Sequence, residues 1–129
     1  MIKIKLTSIL VDDQNKARDF YTNVLGFVIK QDIPMGEANW LTVVSPADPN
    51  GTELLLEPMR GVAEAASFQQ ALFKAKIPWI TFAVDDVEAE YQRLKAIGVA
   101  VDEPSRPEGG PATLVLNDTC GNLIQLFQL

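Results

Sequence analysis

The sequence predicts an α+β fold built from two tandem βαβββ modules, and three observations carry that prediction. The apolar periodicity runs strand, helix and then three strands, and the whole order occurs twice along the chain. Val11, Asp12 and Asp13 return as Val84, Asp85 and Asp86 at an offset of 73, and Leu25 and Gly26 return as Ile97 and Gly98 one residue short of it. With 129 residues, 47% of them hydrophobic and 22% charged, the chain has the size and balance of one core-bearing domain.

Residues 1–11 read as a strand, and the two aspartates after it offer carboxylates to cap the exposed N–H groups of a helix start. Ala17, Phe20, Tyr21, Val24 and Leu25 then recur at helical spacing, with Lys16, Arg18 and Asp19 off the stripe. Gly26 stands where a helix end needs a residue tolerant of positive φ. Strands are expected at 27–32, 40–44 and 52–57, the last two joined by the turn-rich stretch 45–51. In the second copy the strand is 79–84, Val87, Tyr91 and Leu94 mark one helix face, and strands follow at 99–102, 112–116 and 122–128. Between the copies, residues 60–76 are alanine-rich with Phe68 and Leu72 four apart, and read as a linking helix. Module one is therefore 1–58, the linker about 60–76 and module two 78–129, all within a single domain spanning 1–129.

Composition removes several function classes. The chain contains no histidine, so no Ser-His-Asp triad, Cys-His dyad or imidazole metal site can be assembled within it. Seventeen acidic against eleven basic side chains give a formal charge of -6, the opposite of the footprint that neutralises phosphates, and nucleic acid is not an expected partner. No apolar run approaches a membrane span and no signal peptide is read at the N-terminus, so no membrane partner is expected. A single cysteine, Cys120, precludes an intrachain disulfide and fits the cytoplasm.

Val11 to Asp13, then Ala17, Phe20 and Tyr21, then Val24 to Phe27, resemble the opening signature of the vicinal oxygen chelate superfamily, which includes glyoxalase I, bleomycin-resistance proteins and extradiol dioxygenases. Asp118, Gly121 and Asn122, with the strand after them, are similar to its closing turn, while Thr119 and Cys120 depart from it. The resemblance implies that the modules' mixed sheets curl into a cup with helices outside, and that two copies of the chain pair as a homodimer. It also implies one metal-ligand slot on the first and last strand of each module. Carried over, those slots fall on Leu6 and Glu57, and on Trp79 and Gln125. Leu6 and Trp79 supply no electron pair suited to a divalent cation, so neither a metal nor any other cofactor is expected.

Strand alternation adds Ser8, Leu10, Leu55, Thr81, Leu123 and Phe127 to the face of the four slots, with Trp40 and Thr42 from the middle strand. The opposite face, with Ile9, Val11, Leu54, Leu56, Phe82, Val84, Ile124 and Leu126, is expected to pack beneath the helices. Leu6, Ser8, Trp40, Leu55, Glu57, Trp79, Thr81, Gln125 and Phe127 form the candidate ligand-binding set, suited to an apolar or aromatic compound, cationic ones included. Glu57 has three readings: a counter-charge, the general base of a glyoxalase-type lyase, isomerase or epimerase, or one half of a satisfied pair with Gln125. Asp12, Asp13, Asp85 and Asp86 read as cap residues, Cys120 as a turn residue, and residues 108–111 as a loop at the cup's rim.

Overall fold

The computed structural model describes residues 1–129 and follows the expected order closely. The first module runs β1 (Leu6–Val11), α1 (Gln14–Asp19) with a π-helical continuation (Phe20–Val24), β2 (Val28–Met35), β3 (Ala38–Val44) and β4 (Glu53–Pro58). After α2 (Ala63–Lys74), the second runs β5 (Ile80–Val84), α3 (Val87–Ala96), β6 (Thr113–Asn117) and β7 (Leu123–Gln128). The chain divides into two compact units, Met1–Phe68 and Gln69–Leu129.

Both module helices begin on the second aspartate of their pair. Asp13 accepts the backbone N–H groups of Asn15 at 2.9 Å and Lys16 at 3.1 Å, and Asp86 accepts that of Ala89 at 3.0 Å. Both end on a glycine at φ 84°, Gly26 and Gly98, so the helix stop also repeats. From cap to glycine the first helix is one residue longer than the second. The extra residue is taken up as the π-helical turn over Phe20–Val24, which buries Phe20 and Tyr21. The one-residue break in the sequence offset is thus a widened helical turn inserted in module one.

In unit one the strand order is β1-β4-β3-β2, with β1 parallel to β4 and the other neighbours antiparallel. In unit two it is β5-β7-β6, with β5 parallel to β7 and β6 antiparallel to it. One face of each sheet is closed by its own helix. Ala17, Phe20 and Tyr21 cover the face carrying Ile9, Val11, Leu41, Leu54 and Leu56 in unit one. Val87 and Leu94 cover that carrying Leu114, Leu116, Ile124 and Leu126 in unit two, and all of these side chains are buried. The expected core parity therefore holds on β1, β4 and β7, while Phe82 and Val84 on β5 are only part-buried.

The structure corrects two expected strands. Residues 99–102 do not form one; isolated bridges of Val101 to Leu116 and Ser105 to Thr113 are all that tie the segment to the sheet. Pro104 between the bridges has no N–H to donate, and Pro107 and Pro111 break the stretch leading to β6, so a continuous ladder cannot form. The first strand is also shorter than expected, because its partner β4 begins only at Glu53, opposite Leu6, leaving Met1, Ile2 and Ile4 exposed. The linking helix is trimmed at both ends, where Arg60 and Gly61 at φ 57° and 72° and Lys76 at φ 59° leave helical geometry.

The closing turn is held by one carboxylate. Asp118 is fully buried, and its Oδ1 accepts the backbone N–H groups of Cys120 at 2.7 Å and Asn122 at 3.0 Å, while its Oδ2 accepts Asn122 Nδ2 at 2.8 Å. Cys120, buried within this turn, serves as the turn residue expected.

Candidate functional site

Paired residues on neighbouring strands share a face, so the register decides what the open face of unit one holds. Leu6 lies opposite Glu53, Ser8 opposite Leu55 and Leu10 opposite Glu57 on the parallel pair. Thr42 lies opposite Leu55, and Gln31 and Ile33 lie opposite Thr42 and Trp40. The face away from α1 therefore presents Leu6, Ser8, Trp40, Leu55 and Glu57, as the alternation predicts.

The register does not bring Leu6 and Glu57 together. Glu57 stands four residues further along the strand direction, about 13 Å at the usual rise per residue. Comparison of the two repeats agrees. The Trp79 backbone N–H donates to the Leu123 carbonyl at 2.9 Å, and Gln125 comes two residues later. Two residues beyond Glu53, the partner of Leu6, is Leu55. The first-module counterpart of Gln125 is thus Leu55, and the placement of that slot on Glu57 is corrected. The sequence alone could not show this, since both positions have the same alternation parity.

The four slots then hold leucine, leucine, tryptophan and glutamine, a donor set that does not fit a divalent cation. Nor does any group of three or more carboxylate and thiol side chains converge in a metal-holding arrangement.

A cavity of about 630 Å³ opens at the β2–β3 hairpin end of this face, walled by Trp40, Leu55, Met35 and Pro58, with Glu37 and Arg60 among its polar lining. That volume is within the range typical of small-molecule sites. Trp40 and Leu55 belong to the expected set, whereas Met35, Pro58 and Arg60 lie outside it. Arg60 reaches the wall because the left-handed Arg60-Gly61 step turns the chain sharply after β4. Its Nη2 is 3.7 Å from Glu57 Oε1. The Glu57 side chain is 30% exposed and that of Arg60 64%, so this pairing is a screened surface contact.

Glu53 is the carboxylate that sequence reasoning passed over. It is 9% exposed, and its Oε1 accepts two side-chain bonds, from Gln31 Nε2 at 2.6 Å and Thr42 Oγ1 at 2.7 Å. The bonds from Gln31 and Thr42 hold its carboxyl below the usual carboxylate range against the opposing effect of burial, with further help from Lys5 and Lys30. It shares the parity of Leu55 and Glu57, and that signal could have found it.

In unit two, Thr81 lies opposite Gln125, and Thr81 Oγ1 donates to Gln125 Oε1 at 3.1 Å. Phe127 lies opposite both Ala83 and Thr113, on the same face as Gln125 and away from α3. Trp79 is part-buried just before β5.

The fold and these motifs agree with known proteins. The model of the Glyoxalase/Bleomycin resistance protein/Dioxygenase superfamily matches residues 3–126. The Bacillus subtilis (strain 168) protein YurT is 47% identical over 127 residues, covering 98% of this chain and 99% of YurT. Among solved structures, UcmS2 superposes with a TM-score of 0.84 at 30% identity, covering 100% of this chain and 99% of that one. TnmS3, an antibiotic binding protein from Streptomyces sp. CB03234, superposes at 0.75 with 30% identity over 99% of this chain and 96% of its own. A match over almost the whole chain, joined to the twice-repeated cap, helix and parallel-strand pattern, makes this protein a member of the glyoxalase/bleomycin resistance protein/dioxygenase superfamily.

Proposed function

We propose that the protein binds a small organic molecule of apolar or aromatic character on the open sheet face of its first module. The observation that carries this reading is the cavity of about 630 Å³ against Trp40 and Leu55. A flat indole beside aliphatic walls offers a large, rigid contact area to a planar ligand. Likeness to the antibiotic binding protein TnmS3 supports a drug-like occupant. Leu6 and Ser8 extend the same face, and in unit two Trp79, Thr81, Gln125 and Phe127 provide a second candidate surface. Binding is favoured over a lyase, isomerase or epimerase reaction because Glu57, the expected base, stands part-exposed beside Arg60 and opposite Leu10.

We also read the protein as a cytoplasmic homodimer. The lone buried cysteine suits a reducing compartment, and edge strand β2 leaves Val28, Ile29, Ile33 and Met35 exposed, an apolar run that a second copy would cover. No helix is long and apolar enough to cross a membrane.

Thermal denaturation in the presence of a panel of aromatic antibiotics tests the binding reading. At least one compound should raise Tm in a concentration-dependent manner, and Trp40→Ala should abolish the rise. A panel without effect, or stabilisation that survives Trp40→Ala, overturns it.

A further inference from the structure

Glu53 is a largely buried carboxylate that uses only one of its two oxygens in hydrogen bonds within the protein. A carboxylate withdrawn from water is costly unless a cation or a full set of donors compensates it. Glu53 is 9% exposed, yet both of its bonds fall on one oxygen, from Gln31 and Thr42. No lysine or arginine lies within ion-pair distance of it. The two nearby lysines are turned to the adjacent loop. Lys5 Nζ donates to the Asn50 and Gly51 carbonyls at 2.6 and 2.9 Å, and Lys30 Nζ to the Pro49 carbonyl at 3.0 Å and Asn50 Oδ1 at 3.4 Å. Oε2 has no protein partner and is not sealed from solvent, since the single fully buried polar side-chain atom lacking a partner is Arg18 Nε.

The neutral donors have a further consequence. Gln31 and Thr42 fix the carboxylate's orientation through Oε1, and Lys5 and Lys30 act on it without touching it, leaving Oε2 as a negative acceptor on the open sheet face. Glu53 is two residues from Leu55 on β4, so it lies about 7 Å along the strand from the cavity wall. We propose that Glu53 is the specificity-determining residue of the ligand face and selects molecules whose aromatic body rests on Trp40 and whose amine-bearing arm reaches Oε2. This assignment rests on the binding reading above and moves the counter-charge from Glu57 to Glu53.

The test uses two planar dyes of opposite charge, proflavine as the cation and 8-anilinonaphthalene-1-sulfonate as the anion, titrated by fluorescence against the full chain. Wild type should bind proflavine at least about tenfold more tightly than the anion. Glu53→Gln keeps the size of the side chain and an acceptor for Gln31 and Thr42, and should reduce that ratio to within about threefold. Glu103→Gln, at an exposed position of unit two, removes the same unit of net charge and should leave the ratio within about twofold of wild type. Wild-type preference for the anion, or an unchanged ratio in Glu53→Gln, overturns the assignment. If Trp40→Ala weakens both dyes while Glu53→Gln leaves the ratio intact, the charge assignment alone falls. If neither dye binds wild type, or Trp40→Ala weakens neither, the cavity reading falls and takes the assignment with it.

Discussion

Replacing Asp118 by alanine removes one buried carboxylate and leaves three donors without their acceptor. The backbone N–H groups of Cys120 and Asn122 lose Oδ1, and Asn122 Nδ2 loses Oδ2. Asp118, Cys120 and Asn122 are 0%, 0% and 2% exposed, so bulk water does not replace those bonds in place. A stranded buried donor costs about 1–3 kcal/mol, and Asn122 Oδ1 still accepts from Gln69 Nε2 at 3.1 Å, which restrains the amide from turning away. Loss of the Asp118 bonds to two buried backbone groups and one buried amide gives an expected destabilisation of about 4 kcal/mol, a large share of a typical domain's stability. The turn is also conformationally demanding, since Thr119 and Gly121 sit at φ 64° and 101°. The left-handed threonine keeps its own bond, from the Thr119 N–H to Asn117 Oδ1 at 2.8 Å, so the loss falls on the Cys120 and Asn122 end of the turn. Equilibrium urea unfolding followed by far-UV circular dichroism measures the difference. Asp118→Asn should recover part of the loss, because one oxygen remains for the two backbone donors while an NH2 replaces the acceptor facing Asn122. A loss under about 1 kcal/mol for Asp118→Ala, or equal losses for both variants, would refute the view that this carboxylate organises the turn.

Two further predictions concern charge and assembly. Glu53 has a folded-state carboxyl held below its ordinary value of 4.5 by Gln31 and Thr42, so its contribution to stability is complete above that value and lost as pH falls through the lowered one. The Tm advantage of wild type over Glu53→Gln should therefore shrink on acidification below 4.5, and an advantage that stays constant there contradicts the sign. Sedimentation equilibrium at micromolar concentration should give twice the 14.2 kDa chain mass, and Ile33→Lys with Met35→Lys should return the chain to monomer. A monomeric wild type, or a dimer indifferent to both changes, removes β2 as the interface.

The fold was legible because the sequence states its repeat twice and punctuates it chemically. Aspartate caps and glycine stops need particular residue types at particular backbone geometries, so Asp13, Gly26, Asp86 and Gly98 could be placed without a structure. The third element of module two was misread for a physical reason of the same kind. Val99 and Val101 carry strand propensity, but propensity is local, and the ladder fails at Pro104 a few residues downstream. The π-helical turn left a trace, the one-residue slip between repeats, but a slip does not reveal whether a loop or a helix absorbed it. Arg60 stayed hidden because its approach to the cavity depends on two consecutive left-handed residues, which only the glycine at 61 signalled.

The candidate site shows where alternation stops being informative. A period of two assigns every side chain on a strand to a face, and on β4 it grouped Leu55 with Glu57, the face that Glu53 also shares. It cannot say which of them meets Leu6, since sliding β4 by two residues against β1 preserves every face and changes every neighbour. The register is fixed by interactions outside the alternation: the Glu53 N–H on the Lys5 carbonyl at 2.8 Å, the Thr52 hydroxyl on the Ile4 carbonyl at 3.0 Å, and Lys5 Nζ on the 50–51 turn. That slide carries the chemical conclusion with it. With β4 slid by two residues, Leu55 would face Leu6 and Glu57 would occupy the family's ligand slot as the remnant of a metal site. With Leu55 in that slot, the same strand offers an aliphatic wall flanked by a part-exposed glutamate beside Arg60 and a buried one held by neutral donors. Of the two, only Glu53 combines withdrawal from solvent with neutral donors and no ion pair, and it stands two residues along β4 from the cavity wall at Leu55, which is why the proposed charge selection is placed on Glu53 and not on Glu57.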